Sequence, residues 1–133
     1  MPDRLAASTT MESGKVIAVD EQSFRAEVLE SDRLVLVDVG ARWCPPCRAL
    51  EPIVASIAAE YEGRLKVVSL DSDASPALCA RYGLRANPTL IVIDRGQEVT
   101  RHVGLLNRQR VIALFADHLA RKAAPLAAPA MTR

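Results

Sequence analysis

The sequence lacks a long apolar segment and an excess of charge of either sign. No run approaches the ~20 apolar residues of a membrane span, and residues 1–14 contain no apolar stretch of the length of a secretory signal. Lysine and arginine number 17 against 16 acidic residues, so the formal net charge of +1 leaves no broad basic surface for nucleic acid. We therefore expect a cytoplasmic protein with neither membrane nor nucleic-acid partners.

Cysteine is also scarce. Three cysteines cannot all pair within one chain, and Cys44 and Cys47 are too close in sequence to brace a fold, which argues against a disulfide-stabilised scaffold. A structural zinc site is the alternative for this pair, but Cys79 with His102 or His118 does not supply a second closely spaced ligand pair. We expect no metal site, and we interpret Cys79 as either a small buried side chain or a regulatory thiol.

Half of the 133 residues are apolar, which is enough for the core of one small domain. We place this domain at residues 15–122. Before it lies a polar arm, 1–14, and after it an Ala/Pro-rich tail, 123–133, whose composition is typical of flexible segments.

The most informative segment is Trp43-Cys44-Pro45-Pro46-Cys47, called the WCPPC motif below. It directly follows the apolar run 34–39, which is typical of a central strand covered on both faces. A C-x-x-C pair on a strand-to-helix turn indicates a thiol–disulfide redox site. The first sulfur of such a pair attacks a partner's disulfide, and the second is close enough to break the mixed disulfide that results.

The two prolines act on this motif in opposite directions. Cys44 is expected to begin the following helix, where the dipole and free N–H groups favour a thiolate. Pro45 and Pro46 have no N–H, so the nearest forward donor is that of Cys47 and the thiolate is less stabilised. The same prolines fix the turn and hold the sulfurs together. The sequence leaves open which effect dominates.

Patterns along the rest of the chain predict alternating strands and helices. Apolar residues recur at helical spacing after the motif, and the short connection from Asp94 to Gln97 implies an antiparallel hairpin. The predicted strands are 16–19, 34–39, 65–70, 89–93 and 98–103. The predicted helices are one capped by Asp20, one from the motif to about Tyr61 that contains Pro52, one from Ser75-Pro76 to Tyr82, and one capped by Asn107.

The order βαβαβαββα, the motif Trp-Cys-x-Pro-Cys, Pro52 within the next helix and Asn87-Pro88-Thr89 before a strand together resemble the thioredoxin family. The resemblance runs from about Val16 to Leu119. It implies an α/β thioredoxin fold, with a central mixed five-stranded sheet flanked by four helices. It also implies a monomeric protein disulfide reductase without a cofactor, which exchanges electrons with disulfide-containing client proteins and with thioredoxin reductase or another electron donor.

The resemblance implies roles for individual residues as well. Cys44 is the nucleophile, Cys47 the resolving thiol, and a cis peptide precedes Pro88. The candidate substrate-binding residues, which edge a groove, are Trp43, Pro46, Asn87, Pro88, Val103 and Gly104. Considered without the family, Pro88 is an ordinary strand-start proline, and Asn87 is either a turn former or a polar residue of the groove. Trp43 is either a core residue or, as its place beside a reactive thiol favours, a half-exposed contact residue.

Asp38 lies in an otherwise apolar strand, where burial of an ionised carboxylate is unfavourable and raises its pKa. A raised pKa makes it a candidate proton acceptor for Cys47, the role that the resemblance gives to this position. The alternative is a structural aspartate at a strand end, reaching solvent or a backbone N–H.

Four positions depart from the family pattern. Pro45 replaces a glycine, Gly40 an aromatic residue, Asn87 an apolar β-branched residue, and Ser69 a lysine that faces the buried aspartate. Cys-Pro-Pro-Cys also resembles the motif of the tryparedoxin and nucleoredoxin relatives. These departures leave the reaction type unchanged but bear on redox potential and partner choice, so a thiol oxidase or isomerase, and a non-catalytic chaperone or binding subunit, stay as alternative functions.

Overall fold

A mixed five-stranded sheet with four helices forms the computed structural model, which describes residues 15–123. The strands are β1 (Ile17–Val19), β2 (Leu34–Gly40), β3 (Leu65–Asp71), β4 (Thr89–Asp94) and β5 (Gln97–Val103), and the helices are α1 (Arg25–Leu29), α2 (Pro45–Glu60), α3 (Pro76–Tyr82) and α4 (Arg108–Ala123). The strand order is β1-β3-β2-β4-β5. β1, β3 and β2 are parallel, whereas β4 is antiparallel to both β2 and β5. The predicted fold class is confirmed.

Alternation of side chains along β2 divides the core between the two faces of the sheet. Leu34 and Leu36 belong to a cluster with residues of α2 and α4, including Phe115. The three valines of the strand point the other way and pack with residues of α1 and α3. Asp38 follows Leu36 by two residues, so its side chain lies on the face that α2 covers.

The first helix differs from its prediction in geometry but not in its cap. The carboxylate of Asp20 accepts hydrogen bonds from the backbone N–H groups of Gln22 (3.0 Å) and Ser23 (2.8 Å), as an N-cap residue does. The helical segment that follows, α1, has π-type geometry. Phe24 and Val28 are buried as the apolar pattern requires. A spacing of four residues places both on one side of either kind of helix, so the pattern could not distinguish the two.

The other boundaries agree with the sequence patterns to within one residue. The side chain of Asn107 accepts a hydrogen bond from the backbone N–H of Arg110 (2.8 Å) and caps α4. Arg95 and Gly96, both with positive φ, turn the chain between antiparallel β4 and β5. Helix α4 extends one residue beyond the predicted domain; the arm 1–14 and residues 124–133 lie outside the described residues. No helix within residues 15–123 is long and apolar enough to cross a membrane.

Three segments converge at one end of the sheet. The parallel strands β2 and β3 end side by side there, with Gly40 opposite Asp71. Antiparallel β4 begins at the same end, with Thr89 opposite Val39. The WCPPC motif follows β2, a 3-10 turn at Ser72–Ala74 follows β3, and Asn87-Pro88 precedes β4. The topology therefore gathers side chains that are far apart in sequence.

Candidate active site

Cys44 and Cys47 form a disulfide at the N-terminus of α2. Cys44 is the N-cap residue with an extended backbone, and Pro45 and Pro46 occupy the first two helical positions, where a missing N–H interrupts no helical hydrogen bond. The two Cα atoms are 5.2 Å apart. Both cysteines are buried, whereas both prolines are exposed. A single helical turn thus holds the pair in position for disulfide formation.

One backbone donor serves the first sulfur from within this turn. The N–H of Cys47 points at Cys44 Sγ, with the nitrogen and sulfur 3.3 Å apart. This contact confirms that the nearest forward donor belongs to Cys47, since the intervening prolines have none. The N-terminus of α2 therefore offers a thiolate fewer backbone N–H groups than a helix without these two prolines would.

The segment before β4 forms one side of the candidate groove. The peptide bond between Asn87 and Pro88 is cis, as the resemblance implied. The backbone N–H of Gly104 donates to the carbonyl oxygen of Pro88 at 2.8 Å, which joins the end of β5 to this segment. Val103 pairs with Thr89 and is 54 % exposed, so an apolar side chain faces solvent there.

Trp43 stands at the surface next to the motif, with 66 % of its area exposed. It is not a core residue. Its indole Nε1–H donates to the carboxylate of Asp73 at 2.8 Å. The side-chain amide of Asn87 donates to the hydroxyl of Ser72 at 3.0 Å. The 3-10 turn that carries Ser72 and Asp73 therefore orients side chains from two of the candidate substrate-binding segments.

Asp38 is 7 % exposed and lines a cavity of about 470 Å³ together with Cys47 and Glu51. Burial raises the pKa of its carboxyl from 3.8 to about 7, and the negative charge of Glu51 adds to this rise. The predicted direction of the shift is confirmed. A carboxyl with a pKa near neutrality is suited to accept and release a proton beside a thiol.

Gly40 lies against the resolving cysteine. A Cβ atom at this position would come within 3.1 Å of Cys47 Sγ and 3.2 Å of Cys47 Cβ, closer than ordinary contacts. The aromatic residue of the family pattern would therefore require the cysteine side chain to shift by a few tenths of an ångström. Its absence also leaves Gly40 as one of the small residues that line the cavity.

Comparison with known proteins agrees with this geometry, since the thioredoxin family profile matches residues 15–117. The chain belongs to the thioredoxin family. Over 101 residues it is 42 % identical to Thioredoxin 1 of Nostoc sp., an alignment covering 76 % of this chain and 94 % of the relative. It is 36 % identical over 107 residues to Thioredoxin 2 of Chlorobaculum tepidum, with 80 % and 98 % covered. Over 89 residues it is 44 % identical to a thioredoxin of Porphyra purpurea, with 67 % and 83 % covered.

Membership of the thioredoxin family and the disulfide between Cys44 and Cys47 identify the chemistry. The protein is a protein-disulfide oxidoreductase that acts by thioredoxin-type dithiol–disulfide exchange. In this exchange a thiolate displaces one sulfur of a disulfide, so one pair of sulfurs is oxidised as the other is reduced.

The remaining candidate ligands lie elsewhere in this thioredoxin fold. Cys79 is partly buried in α3 and its thiol contacts the backbone oxygen of Ser72 at 3.6 Å. His118 contacts Arg121 within α4, and His102 pairs with Leu90 in the sheet. Among residues 15–123, no group of three or more histidine, cysteine, aspartate and glutamate side chains is arranged to hold a metal ion.

Sequence reasoning missed three polar residues of the site. Ser72 and Asp73 belong to a turn whose approach to Trp43 and Asn87 depends on tertiary packing, and no local pattern reveals it. Glu51, in contrast, could have been identified from the sequence. It follows Cys47 by four residues in α2, and that spacing places two side chains on one face of a helix.

Replacing Pro45 with glycine or alanine separates the two effects of this proline. Either residue restores a backbone N–H near Cys44 Sγ, so we expect the Cys44 thiolate of the reduced protein to form at a pH lower by about 0.5 to 1 unit. Thiolate absorbance measured against pH tests this. Both residues free the backbone that proline fixes, and glycine frees it more than alanine. If both variants titrate as wild type does, and disulfide closure is slower in Pro45→Gly than in Pro45→Ala, the effect of Pro45 is instead loop stiffness.

Proposed function

We propose that the protein is a reductase of protein disulfides in which the WCPPC motif is the active site, Cys44 the nucleophile and Cys47 the resolving thiol. The observation that carries this proposal is the disulfide at the first turn of α2, at the end of the sheet where cis Pro88 precedes β4. Cys44 is the N-cap, so its sulfur is the one that the N–H of Cys47 and the positive end of the helix favour as a thiolate.

The reaction proceeds in two displacements. Cys44 thiolate attacks a client disulfide, forms a mixed disulfide and expels one client thiolate. Cys47 then loses its proton to the carboxylate of Asp38 and attacks Cys44 Sγ. The bond between Cys44 and the client breaks, and its electron pair leaves with the second client sulfur. The client gains two electrons, and the protein returns to the disulfide form.

Side chains around the motif supply a surface for the client. Trp43 and Val103 are exposed apolar residues, and the Gly104–Pro88 contact holds the backbone at the groove's edge. Asn87 offers a half-buried amide in the same segment. We propose that these residues, with exposed Pro46, contact an extended stretch of the client beside its disulfide.

The same turn supports the reductase direction of exchange. Each donor to the Cys44 thiolate stabilises the reduced protein and raises its potential. Pro45 and Pro46 remove two such donors, which favours a reductase over a thiol oxidase. Electrons for the next cycle come from a thioredoxin reductase or another donor. We propose a monomer working in the cytoplasm, where thiols are kept reduced.

The experiment that tests this assignment is trapping with Cys47→Ser. Without a resolving thiol, the mixed disulfide between Cys44 and the client persists, so most of the reduced variant should be recovered as an adduct with an insulin-type disulfide on non-reducing gels. Cys44→Ser/Cys47→Ser is the matched control and should form none. Failure of Cys47→Ser to accumulate adducts under acid quenching would contradict the two-step exchange.

A further inference from the structure

The cavity beside Cys47 connects the buried part of the site with solvent. Asp38 and Cys47, both buried, line it on the inside. Glu51, Arg42 and Asp71 also line it and are exposed, so they stand where the cavity opens. Any proton that leaves the buried pair through this cavity passes these charged side chains.

Glu51 is placed over this cavity by the helix that carries the resolving cysteine. It follows Cys47 by four residues, one turn along α2, and therefore projects from the same face. The residues paired with Asp38 in the two neighbouring strands are uncharged. Its register partners are Ser69 in β3 and Leu90 in β4. Glu51 thus faces Asp38 without an intervening cation from the sheet.

The electrostatics of the cavity agree with this placement. The pKa of Asp38 is raised first by burial and second by the charge of Glu51. Arg42 and Asp71, the other charged residues of the lining, carry opposite charges, so their effects on Asp38 oppose each other. A carboxylate beside another carboxyl favours its protonated form.

We propose that Glu51 is a positioning residue for the resolving step: its carboxylate sets how tightly Asp38 holds the proton that Cys47 gives up. This inference rests on the role of Asp38 proposed above. Glu51 touches none of the reacting sulfurs and gains no proton in the step. It acts through Asp38, which takes the Cys47 proton while Cys47 Sγ bonds to Cys44 Sγ and the client sulfur departs with the electron pair.

The test is a pH profile of resolution in Glu51→Gln. Reduced protein is mixed with a chromophoric aromatic disulfide in a stopped-flow instrument, where the first thiolate released reports attack by Cys44 and the second reports resolution by Cys47. Removing the charge should move the midpoint of the second phase down by about half a pH unit, and Glu51→Lys should move it about twice as far. The first phase should keep the wild-type midpoint, because it precedes the proton transfer.

A direct titration of Asp38 by carboxyl carbon NMR, assigned with Asp38→Asn, separates this inference from the proposed function. The carboxyl midpoint should fall with that of the second phase in both Glu51 variants. Asp32→Asn is the matched control, because it also removes one negative charge. Asp32 is exposed and lies just before β2, at the end of the strand far from the cavity, so both midpoints should equal those of the wild type.

Two outcomes overturn the role of Glu51. One is an Asp38 midpoint that is the same in Glu51→Gln as in Asp32→Asn; the other is a shifted carboxyl midpoint with an unshifted second phase. If Asp38→Asn itself leaves the second phase and its pH dependence unchanged, the proposed role of Asp38 fails, and the role of Glu51 fails with it. The Cys47→Ser trapping result would still stand in that case.

Discussion

Cys44→Ser should reduce insulin-type disulfides no faster than the dithiol donor does by itself. The thiolate is the attacking species in disulfide exchange, and a serine hydroxyl does not ionise near neutral pH to replace it. Cys47 is no substitute, because it lies within the first turn of α2 against Gly40 and not at the N-cap position that favours a thiolate at Cys44. The loss should appear in a turbidity assay of insulin reduction with a dithiol supplied in excess.

Cys79 is the one other thiol within the described residues, and it is a poor substitute. Its pKa is raised by burial and further by the nearby acidic residues Glu21 and Asp73, which leaves little thiolate at neutral pH. Cys79→Ser is therefore the matched control and should keep the wild-type rate. Turnover by Cys44→Ser above the donor background would refute Cys44 as the nucleophile. If that remaining turnover disappeared in Cys44→Ser/Cys79→Ser, Cys79 would be the nucleophile instead.

Asp38→Asn should make the protein more stable above neutral pH and slower in resolution. Ionised Asp38 is unfavourable in its buried position, and the rise of its pKa from 3.8 to about 7 corresponds to an upper bound of about 4 kcal/mol. We expect a gain of about 2 to 4 kcal/mol in the free energy of unfolding at pH 8, because asparagine removes the charge and keeps the volume. Urea unfolding at several pH values measures it.

The pH dependence has a definite sign. Between pH 4 and 7, roughly, native Asp38 retains its proton while the unfolded chain has lost it, so wild-type stability falls as the pH rises through this window. Below the window both states are protonated. Asp38→Asn and wild type should therefore converge near pH 4 and separate progressively up to pH 7.

The kinetic effect of Asp38→Asn should be largest near neutral pH, where a base with a pKa of about 7 is most effective. We expect the release of the second thiolate to slow at least about tenfold there. A marked loss of stability, or a faster second phase, would show instead that Asp38 is a hydrogen-bonded structural anchor.

The parts of the site that follow from short stretches of chain were predictable. The spacing of Cys44 and Cys47, the missing N–H groups of the two prolines and the continuous apolar pattern of residues 34–39 are local properties, which tertiary packing leaves unchanged. The hairpin at Arg95-Gly96 and the Asn107 cap have the same origin, since each is closed by contacts within a few residues. The cis peptide before Pro88 was expected only from the family, because X–Pro bonds are seldom cis in general.

What only the tertiary structure decided is which of these local pieces meet. Side chains alternate between the two faces of the sheet along β2, and this alternation directs Asp38 toward α2. Helix α2 also carries Glu51 to the same cavity, so the proton affinity of Asp38 depends on both β2 and α2. The contact of Trp43 with Asp73 joins residues 30 positions apart. The sequence by itself determined the reaction, because two thiols at this spacing allow disulfide exchange. Their proton acceptor, and the groups that tune it, were decided by the packing of strand against helix, since burial and through-space charge exist only in the folded chain.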